Sequence, residues 1–70
     1  MSEPDYIVVR AAPDLPPGFL PHGLDGKWFD RATLPEQYGQ YQWGDAVATA
    51  TGRFETRDDG AAAEVFEVRP

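Results

Sequence analysis

The chain has 70 residues, no cysteine and one histidine, and its twelve acidic against six basic residues give a net charge of −6. Disulfides, iron–sulfur clusters and thiolate zinc sites are therefore excluded, and one histidine is too few for an ordinary zinc site. The negative charge is spread along the chain and disfavours direct contact with nucleic acids or anionic membranes. We expect one small domain of marginal stability that holds no metal and no cofactor.

The N-terminal segment and the hydropathy pattern bear on location. No apolar run approaches the length of a membrane span, and Met1 to Asp5 is acidic, without the basic and apolar regions of a signal peptide. These features predict a cytoplasmic protein in which residues 1–5 are disordered and residues 6–70 form a single β-rich domain.

The first predicted element is a strand over Tyr6–Arg10, a compact β-branched run. Its apolar residues are consecutive, which favours a central place in the sheet with both faces covered. Residues 11–26 contain four prolines and are predicted to be a stiff connecting loop. Phe19 and Leu20 are expected to fold this loop back onto the core.

The middle of the chain carries two further turn signals. Asp25-Gly26 precedes the apolar Trp28 and Phe29, which predicts a short strand over 27–30 and a small hairpin over 24–29. Thr33 and Glu36 have the spacing of a capping box, and Gly39 would end the helix. We therefore predict a short α- or 3₁₀ helix over 34–39.

The last third of the chain is predicted to be a β-hairpin. Residues 45–57 alternate with the period of a strand, Asp58-Asp59-Gly60 forms a turn signal, and residues 61–68 resume as a strand. The expected fold is mainly β (β-rich α+β), a small twisted antiparallel sheet of about three to five strands with this C-terminal hairpin and at most one short helix.

Two registers are open for the hairpin. A two-residue turn at Asp59-Gly60 places Glu55 opposite Glu64, which is unfavourable for like charges. A four-residue loop over 57–60 places Arg53 opposite Glu64 instead. In both registers Glu55, Glu64 and Glu67 crowd the hairpin with negative charge.

One face of the first hairpin strand consists of small residues, which leaves space to be filled. Its members are Ala46, Ala48, Ala50 and Gly52, ending in Phe54. A void there would be costly, so we expect aromatic residues from the middle segment to pack on it, namely Trp28, Phe29, Tyr38 and Tyr41. The alternative is that this face receives a partner or a ligand.

No catalytic constellation is present in the sequence. His22 is the one candidate imidazole base, and Ser2 is the one serine and lies in the segment predicted to be disordered. Asp58 and Asp59 are adjacent acids at a turn, which are usually solvated, so no metal site is predicted. The chain is therefore interpreted as non-enzymatic.

The remaining features favour a protein that binds a larger partner and modulates or inhibits it. Polar and aromatic residues interleave near the middle of the chain, and acids crowd the hairpin, so the predicted partner-binding residues are Tyr38, Tyr41, Trp43, Glu55, Asp58, Asp59 and Glu64. The expected partner has a basic surface. The sharpest version is a phage-type inhibitor whose carboxylates stand in for the phosphates of a nucleic acid.

Two other functions remain open. An accessory or structural subunit could homodimerise through an exposed strand edge supplied by residues 6–10 or 65–68. A small enzyme or ligand carrier is the least favoured class, because the chain lacks catalytic residues.

Overall fold

A computed structural model describes residues 4–21, 23–33 and 40–70, with the backbone alone for 40–43. These residues form one five-stranded sheet in the spatial order β2-β1-β5-β4-β3. The elements are β1 (Tyr6–Ala11), β2 (Trp28–Asp30), a 3₁₀ turn (Arg31–Thr33), β3 (Gln40–Trp43), β4 (Ala46–Thr56) and β5 (Ala62–Arg69). The prediction of a small, mainly β fold with a C-terminal hairpin is confirmed.

The sheet is mixed, whereas an antiparallel sheet was predicted. β2 with β1, β5 with β4 and β4 with β3 pair antiparallel, but β1 pairs parallel with β5, with Val8 beside Val65. This pairing places β5 at the centre of the sheet. Parallel strands are typically buried on both faces, and the consecutive apolar residues of β1 and β5 meet that requirement.

The two strands proposed as exposed edges are interior, so that prediction is wrong. β1 lies between β2 and β5, and β5 lies between β1 and β4. Ile7, Val8 and Val9 are at most 1% exposed, which confirms the central place predicted for the first strand. The edges of the described sheet belong to β2, to β3 and to the part of β4 that extends beyond β3.

The hairpin adopts neither of the two registers considered. Thr56 pairs with Ala62 and Glu55 with Ala63. The Arg57 N–H donates to the Ala61 carbonyl at 2.8 Å, and the Gly60 N–H donates back to the Arg57 carbonyl at 2.9 Å. This is a three-residue loop in which Gly60, with φ of 86°, takes the left-handed position that follows a type I turn.

A bulge interrupts β4 between Ala50 and Phe54, so that three residues oppose Val65. The Thr51 hydroxyl donates to the Val65 carbonyl at 3.0 Å and accepts the Arg53 N–H at 3.2 Å. Gly52 has a φ of 78°, which favours glycine at this position. The bulge keeps Ala50 and Phe54 on the same face of the sheet.

The main core lies on the face that the long loop covers. Its buried members are Ile7, Val9, Leu24, Ala46, Ala48, Phe66 and Val68, and Leu15, Phe19, Leu20 and Phe29 pack against them. The predicted return of Phe19 and Leu20 to the core is therefore confirmed.

The small-residue face is only partly buried. Ala46 and Ala48 are fully buried as predicted, but Ala50 and Gly52 are exposed and Phe54 is 60% exposed. Among the described residues, the main core includes no residue of β4 beyond Ala48.

The aromatic cover over this face also differs from the prediction. Phe29 packs on this core, whereas Trp28 packs on the opposite face, because neighbouring residues of a strand point to opposite faces. Tyr38 and the side chain of Tyr41 lie outside the described residues.

The middle segment contains a hairpin that was not predicted and lacks one that was. The Lys27 N–H closes a turn onto the Leu24 carbonyl at 3.0 Å, but the strand that follows pairs with β1 instead of folding into the predicted hairpin over 24–29. The predicted short strand itself is confirmed as β2. β3 and β4 form the unpredicted hairpin, turning at Gly44 and Asp45.

Two predictions fall wholly or partly outside the described residues. The helix over 34–39 lies outside them, as do residues 1–3 of the segment predicted to be disordered. Pro4 and Asp5, the other two residues of that segment, are described, and their carbonyls accept hydrogen bonds from Arg31 at 2.9 Å each.

Candidate functional site

The second face of the sheet carries a smaller buried cluster. Val8 and Ala63 are fully buried and Val65 is 2% exposed, with Tyr6 and Trp28 packed against them. These residues come from β1, β2 and β5, and β4 contributes Glu55 to the same face because it pairs with Ala63. We call this the open face of the sheet.

An arginine and two aromatic rings form a stack on the open face. The Tyr6 and Trp28 ring centroids are 5.7 Å apart, with the ring planes tilted by 54°. The guanidinium carbon of Arg57 lies 4.6 Å from the Trp28 centroid and 5.0 Å from the Tyr6 centroid. A guanidinium at this distance is attracted to the ring faces, so the stack ties the hairpin to β1 and β2.

A second arginine of the open face pairs with Glu55 across the central strand. The Arg10 Nε donates to Glu55 Oε2 at 3.0 Å, and its Nη2 donates to Oε1 at 2.5 Å. The hydrogen bonds from Arg10, and then its charge, lower the pKa of Glu55, while the same bonds raise the pKa of Arg10. The two-point contact fixes the Glu55 side chain in one orientation.

The other hairpin glutamates also have arginine partners. Arg31 Nη2 donates to Glu64 Oε1 at 2.6 Å, with only 13% and 21% of the two side chains exposed. Arg69 Nη2 lies 2.5 Å from Glu67 Oε1. The crowding of negative charge expected on the hairpin is therefore offset pair by pair.

The hairpin tip presents two aspartates to solvent. Asp59 accepts the Ala61 N–H at 3.0 Å and the Arg57 Nη2 at 3.1 Å, and these contacts, in that order of weight, lower the pKa of Asp59. Asp58 is exposed, and no described side chain pairs with it. Asp58 is thus a free negative charge at the tip.

Two further aspartates lie at the same end of the sheet. Asp30 pairs with Tyr6 in the register of β1 and β2, and the Asp5 carbonyl accepts the Arg31 N–H. Asp5 and Asp30 are both exposed, and a shallow cleft beside them is lined by Pro4, Asp5, Tyr6, Asp30, Arg31 and Ala32. We call Asp5, Asp30, Asp58 and Asp59 the acidic end.

The structure divides the predicted partner-binding residues into two groups. Glu55, Asp58, Asp59 and Glu64 belong to the β4–β5 hairpin, and two of them are the tip residues of the acidic end. Trp43 and Tyr41 belong to β3, where they pair with Ala46 and Ala48 at the start of β4. Tyr41 lies level with Val68 of β5, four residues from Glu64, so at about 3.3 Å per residue the two groups are about 13 Å apart at their nearest, and the tip aspartates lie farther away. Tyr38 lies outside the described residues.

The sequence interpretation expected Trp28 in the core cover and did not assign Tyr6, Arg57, Arg10 or Arg31 to a site. Tyr6 and Trp28 are aromatic residues within predicted strands, which is a weak signal for a site. Arg57 reaches them only because β5 lies beside β1, and that long-range pairing has no local signature in the sequence.

Two features that often mark a site are absent from the described residues. They contain no group of three or more histidines, cysteines or acids that could hold a metal ion, and they contain no buried polar side chain. None of the helical segments in the described part of the chain is long and apolar enough to cross a membrane. His22 and Ser2 lie outside these residues.

Comparison with protein families, with curated proteins and with solved structures finds no match for this chain.

Proposed function

We propose that the chain is a small non-enzymatic protein-binding module that modulates or inhibits a larger protein, and that its acidic end docks on a basic surface of that partner. The observation that carries the proposal is the juxtaposition of exposed aspartates with the stack of Tyr6, Trp28 and Arg57 at one end of a small sheet.

The charge available to a partner comes from the aspartates. Glu55, Glu64 and Glu67 are each paired with an arginine, so they offer a partner less uncompensated charge than the aspartates do. Asp58 is exposed without such a competitor. Exposed carboxylates of this kind mainly raise association rates with a basic partner and fix its orientation.

The stack would supply the apolar part of the contact. Tyrosine, tryptophan and arginine are the residue types most enriched among residues that dominate binding energy. Tyr6 and Trp28 are half-buried, and Arg57 is exposed with its position set by both rings and by Asp59. A side chain that is already held in place loses less freedom on binding.

In its finer version, the proposed protein is a phage-type inhibitor whose carboxylates take the place of nucleic-acid phosphates. We also propose a cytoplasmic location. Support for the mimic is that Asp30 accepts the Ala32 N–H and Asp59 accepts the Ala61 N–H, which orients two carboxylates at one end of the sheet. The lack of cysteine suits a reducing compartment.

Tyr41 and Trp43 are proposed as a second contact at the far end of β4. Interfaces of standard size bury about 800 Å² on each partner, which is broad enough for one large partner to reach both groups. The two contacts are separated along the chain, so their contributions can be measured independently.

A matched pair of variants tests the docking surface. The partner is captured from a lysate of the host cell with the tagged full chain, identified by mass spectrometry, purified and titrated. Asp30→Asn with Asp58→Asn should weaken binding about tenfold, because two exposed charges are lost while the shape is kept. Asp14→Asn with Asp25→Asn makes the same change in net charge at exposed sites away from both proposed contacts and should leave the affinity unchanged, since the asparagine oxygen can still accept the Ala11 N–H. Equal weakening by both pairs would rule out the acidic end as the docking surface.

A further inference from the structure

Among the described residues, nothing pairs with the outer edge of β4 beyond the end of β3. β3 reaches only as far as Thr49, and no described strand pairs with the outer side of β4 from Ala50 to Thr56. The Arg57 N–H bonds to Ala61, and the hydrogen-bonding direction alternates along an antiparallel strand. The backbone groups of Glu55 therefore point to β5, whereas those of Phe54 and Thr56 point outward.

Phe54 is the exposed residue at the centre of this edge. It is 60% exposed and is the one large hydrophobic residue exposed in the described part of the chain. Arg53 precedes it and Glu55 follows it, and the charge of Arg53 contributes to lowering the pKa of Glu55. The edge thus presents a positive, an apolar and a negative residue in succession.

We propose that a second copy of the chain pairs antiparallel with this edge, about a two-fold axis at Phe54. The two Phe54 side chains would then face each other. Arg53 of each copy would lie opposite Glu55 of the other, because these positions are symmetric about Phe54, and it would add a second cation beside the Arg10 that already pairs with this carboxylate. The outward N–H and C=O groups of Phe54 would bond to the same groups of the second copy.

The charge pattern favours a second copy over an unrelated strand. When two copies of a positive–apolar–negative sequence run antiparallel, each positive residue lies opposite a negative one. A two-fold interface requires this kind of self-complementarity. The bulge at Gly52 limits the regular edge to a few residues, and bulges commonly restrict such pairing. The dimer is therefore expected to be weak and to form at high protein concentration.

Sedimentation equilibrium over a range of concentrations up to about 1 mM tests the proposal. The wild-type chain should show a reversible dimer. Phe54→Ser should weaken it at least tenfold, and Thr56→Pro should also weaken it by removing an outward N–H. Arg69→Glu should leave the dimer intact. It changes the net charge by the same amount as Arg53→Glu, but Arg69 is an exposed residue of β5. A strict monomer, or a dimer that Phe54→Ser does not weaken, would overturn the proposal.

A mixing experiment tests the register directly. Arg53→Glu and Glu55→Arg should each weaken the homodimer, because each places like charges opposite one another twice. A mixture of the two variants should form a heterodimer about as strong as the wild type, since both pairs then become opposite in charge. Circular dichroism checks that each variant is folded. If the mixture associates no more strongly than either variant alone, this register is excluded. The Phe54→Ser result then decides separately whether the edge of β4 is used.

Discussion

Arg10 on β1 and Glu55 on β4 pair across β5, with Arg10 Nε 3.0 Å from Glu55 Oε2. The two residues are 45 positions apart in the chain. Their contact links the N-terminal strand to the C-terminal hairpin on the side of the sheet that the long loop does not cover. Arg10 lies beside Glu67 and Glu55 lies opposite Ala63, so the contact runs diagonally across β5.

Replacing Glu55 by Gln should lower the free energy of unfolding by less than about 1 kcal/mol at neutral pH. The effect is modest because 43% and 36% of the Arg10 and Glu55 side chains are exposed and water screens the pair. Urea unfolding of Glu55→Gln, Arg10→Met and the double variant gives the coupling between them. Additive losses would show that the pair contributes no energy of its own.

The same pair should make stability depend on pH in the acid range. Arg10 lowers the pKa of Glu55 below its ordinary value of 4.5, so the folded state binds the proton less readily than the unfolded state. The stabilisation is therefore fully present above that ordinary value and is lost as pH falls through the lowered pKa. The difference in unfolding free energy between wild type and Glu55→Gln should shrink as the pH is lowered from 6 towards about 3. A difference that grows on acidification would contradict this assignment.

Neighbouring positions of β4 should respond differently to a charge. Ala48→Arg should cost about 3 kcal/mol or more and unfold most of the protein, because it forces a cation into the main core. Thr49→Arg and Ala50→Arg should be tolerated, since both positions are exposed. Circular dichroism and urea titration provide the comparison. Equal tolerance at Ala48 and Ala50 would mean that the loop does not cover Ala48.

Arg57→Ala should remove the stack on Tyr6 and Trp28 and cost about 0.5–1 kcal/mol. Arg53→Ala is the matched control, because Arg53 is an exposed arginine on the neighbouring strand β4 and has no ring partner among the described residues. The chemical shifts of the Trp28 indole should change for Arg57→Ala only. Unchanged Trp28 resonances in Arg57→Ala would refute the stack.

How much of this fold follows from the sequence depends on how local each interaction is. The C-terminal hairpin and the short strand at Trp28 are encoded by neighbouring residues, namely the alternation of β4 and the turn glycines. The parallel pairing of β1 with β5 joins segments more than 50 residues apart, and no local pattern encodes it. The bulge at Gly52 is equally hard to foresee, because Ala50 and Phe54 keep the alternation on both sides of it.

The candidate site was predictable to a smaller extent. Asp58 and Asp59 follow directly from the turn signal. The ion pairs of Glu55 and Glu64 depend on strand order and register, and the sequence left the register open between two choices that both differ from the structure. The stack of Arg57 on Tyr6 depends on the same long-range pairing.

The two proposed contact groups should affect a captured partner through different rate constants. Asp30→Asn with Asp58→Asn should chiefly slow association, because exposed charges at an interface mainly steer the encounter. Tyr41→Ala with Trp43→Ala should chiefly speed dissociation, because aromatic anchors hold a formed complex. The losses in binding free energy should add, since Asp30 lies level with Ala63 of β5 and Tyr41 level with Val68, about 16 Å apart along the strands, and Asp58 lies farther away. Surface plasmon resonance separates the rate constants, and an aromatic pair without effect would remove β3 from the interface.

The most direct test of the electrostatic docking is the affinity for the captured partner as a function of salt. Exposed charges are screened beyond about 8–10 Å at ordinary ionic strength, so binding of the wild-type chain should weaken steadily as salt rises. Asp30→Asn with Asp58→Asn should show a smaller salt dependence, whereas Asp14→Asn with Asp25→Asn should match the wild type. A wild-type affinity that is the same at low and high salt would contradict docking through the acidic end.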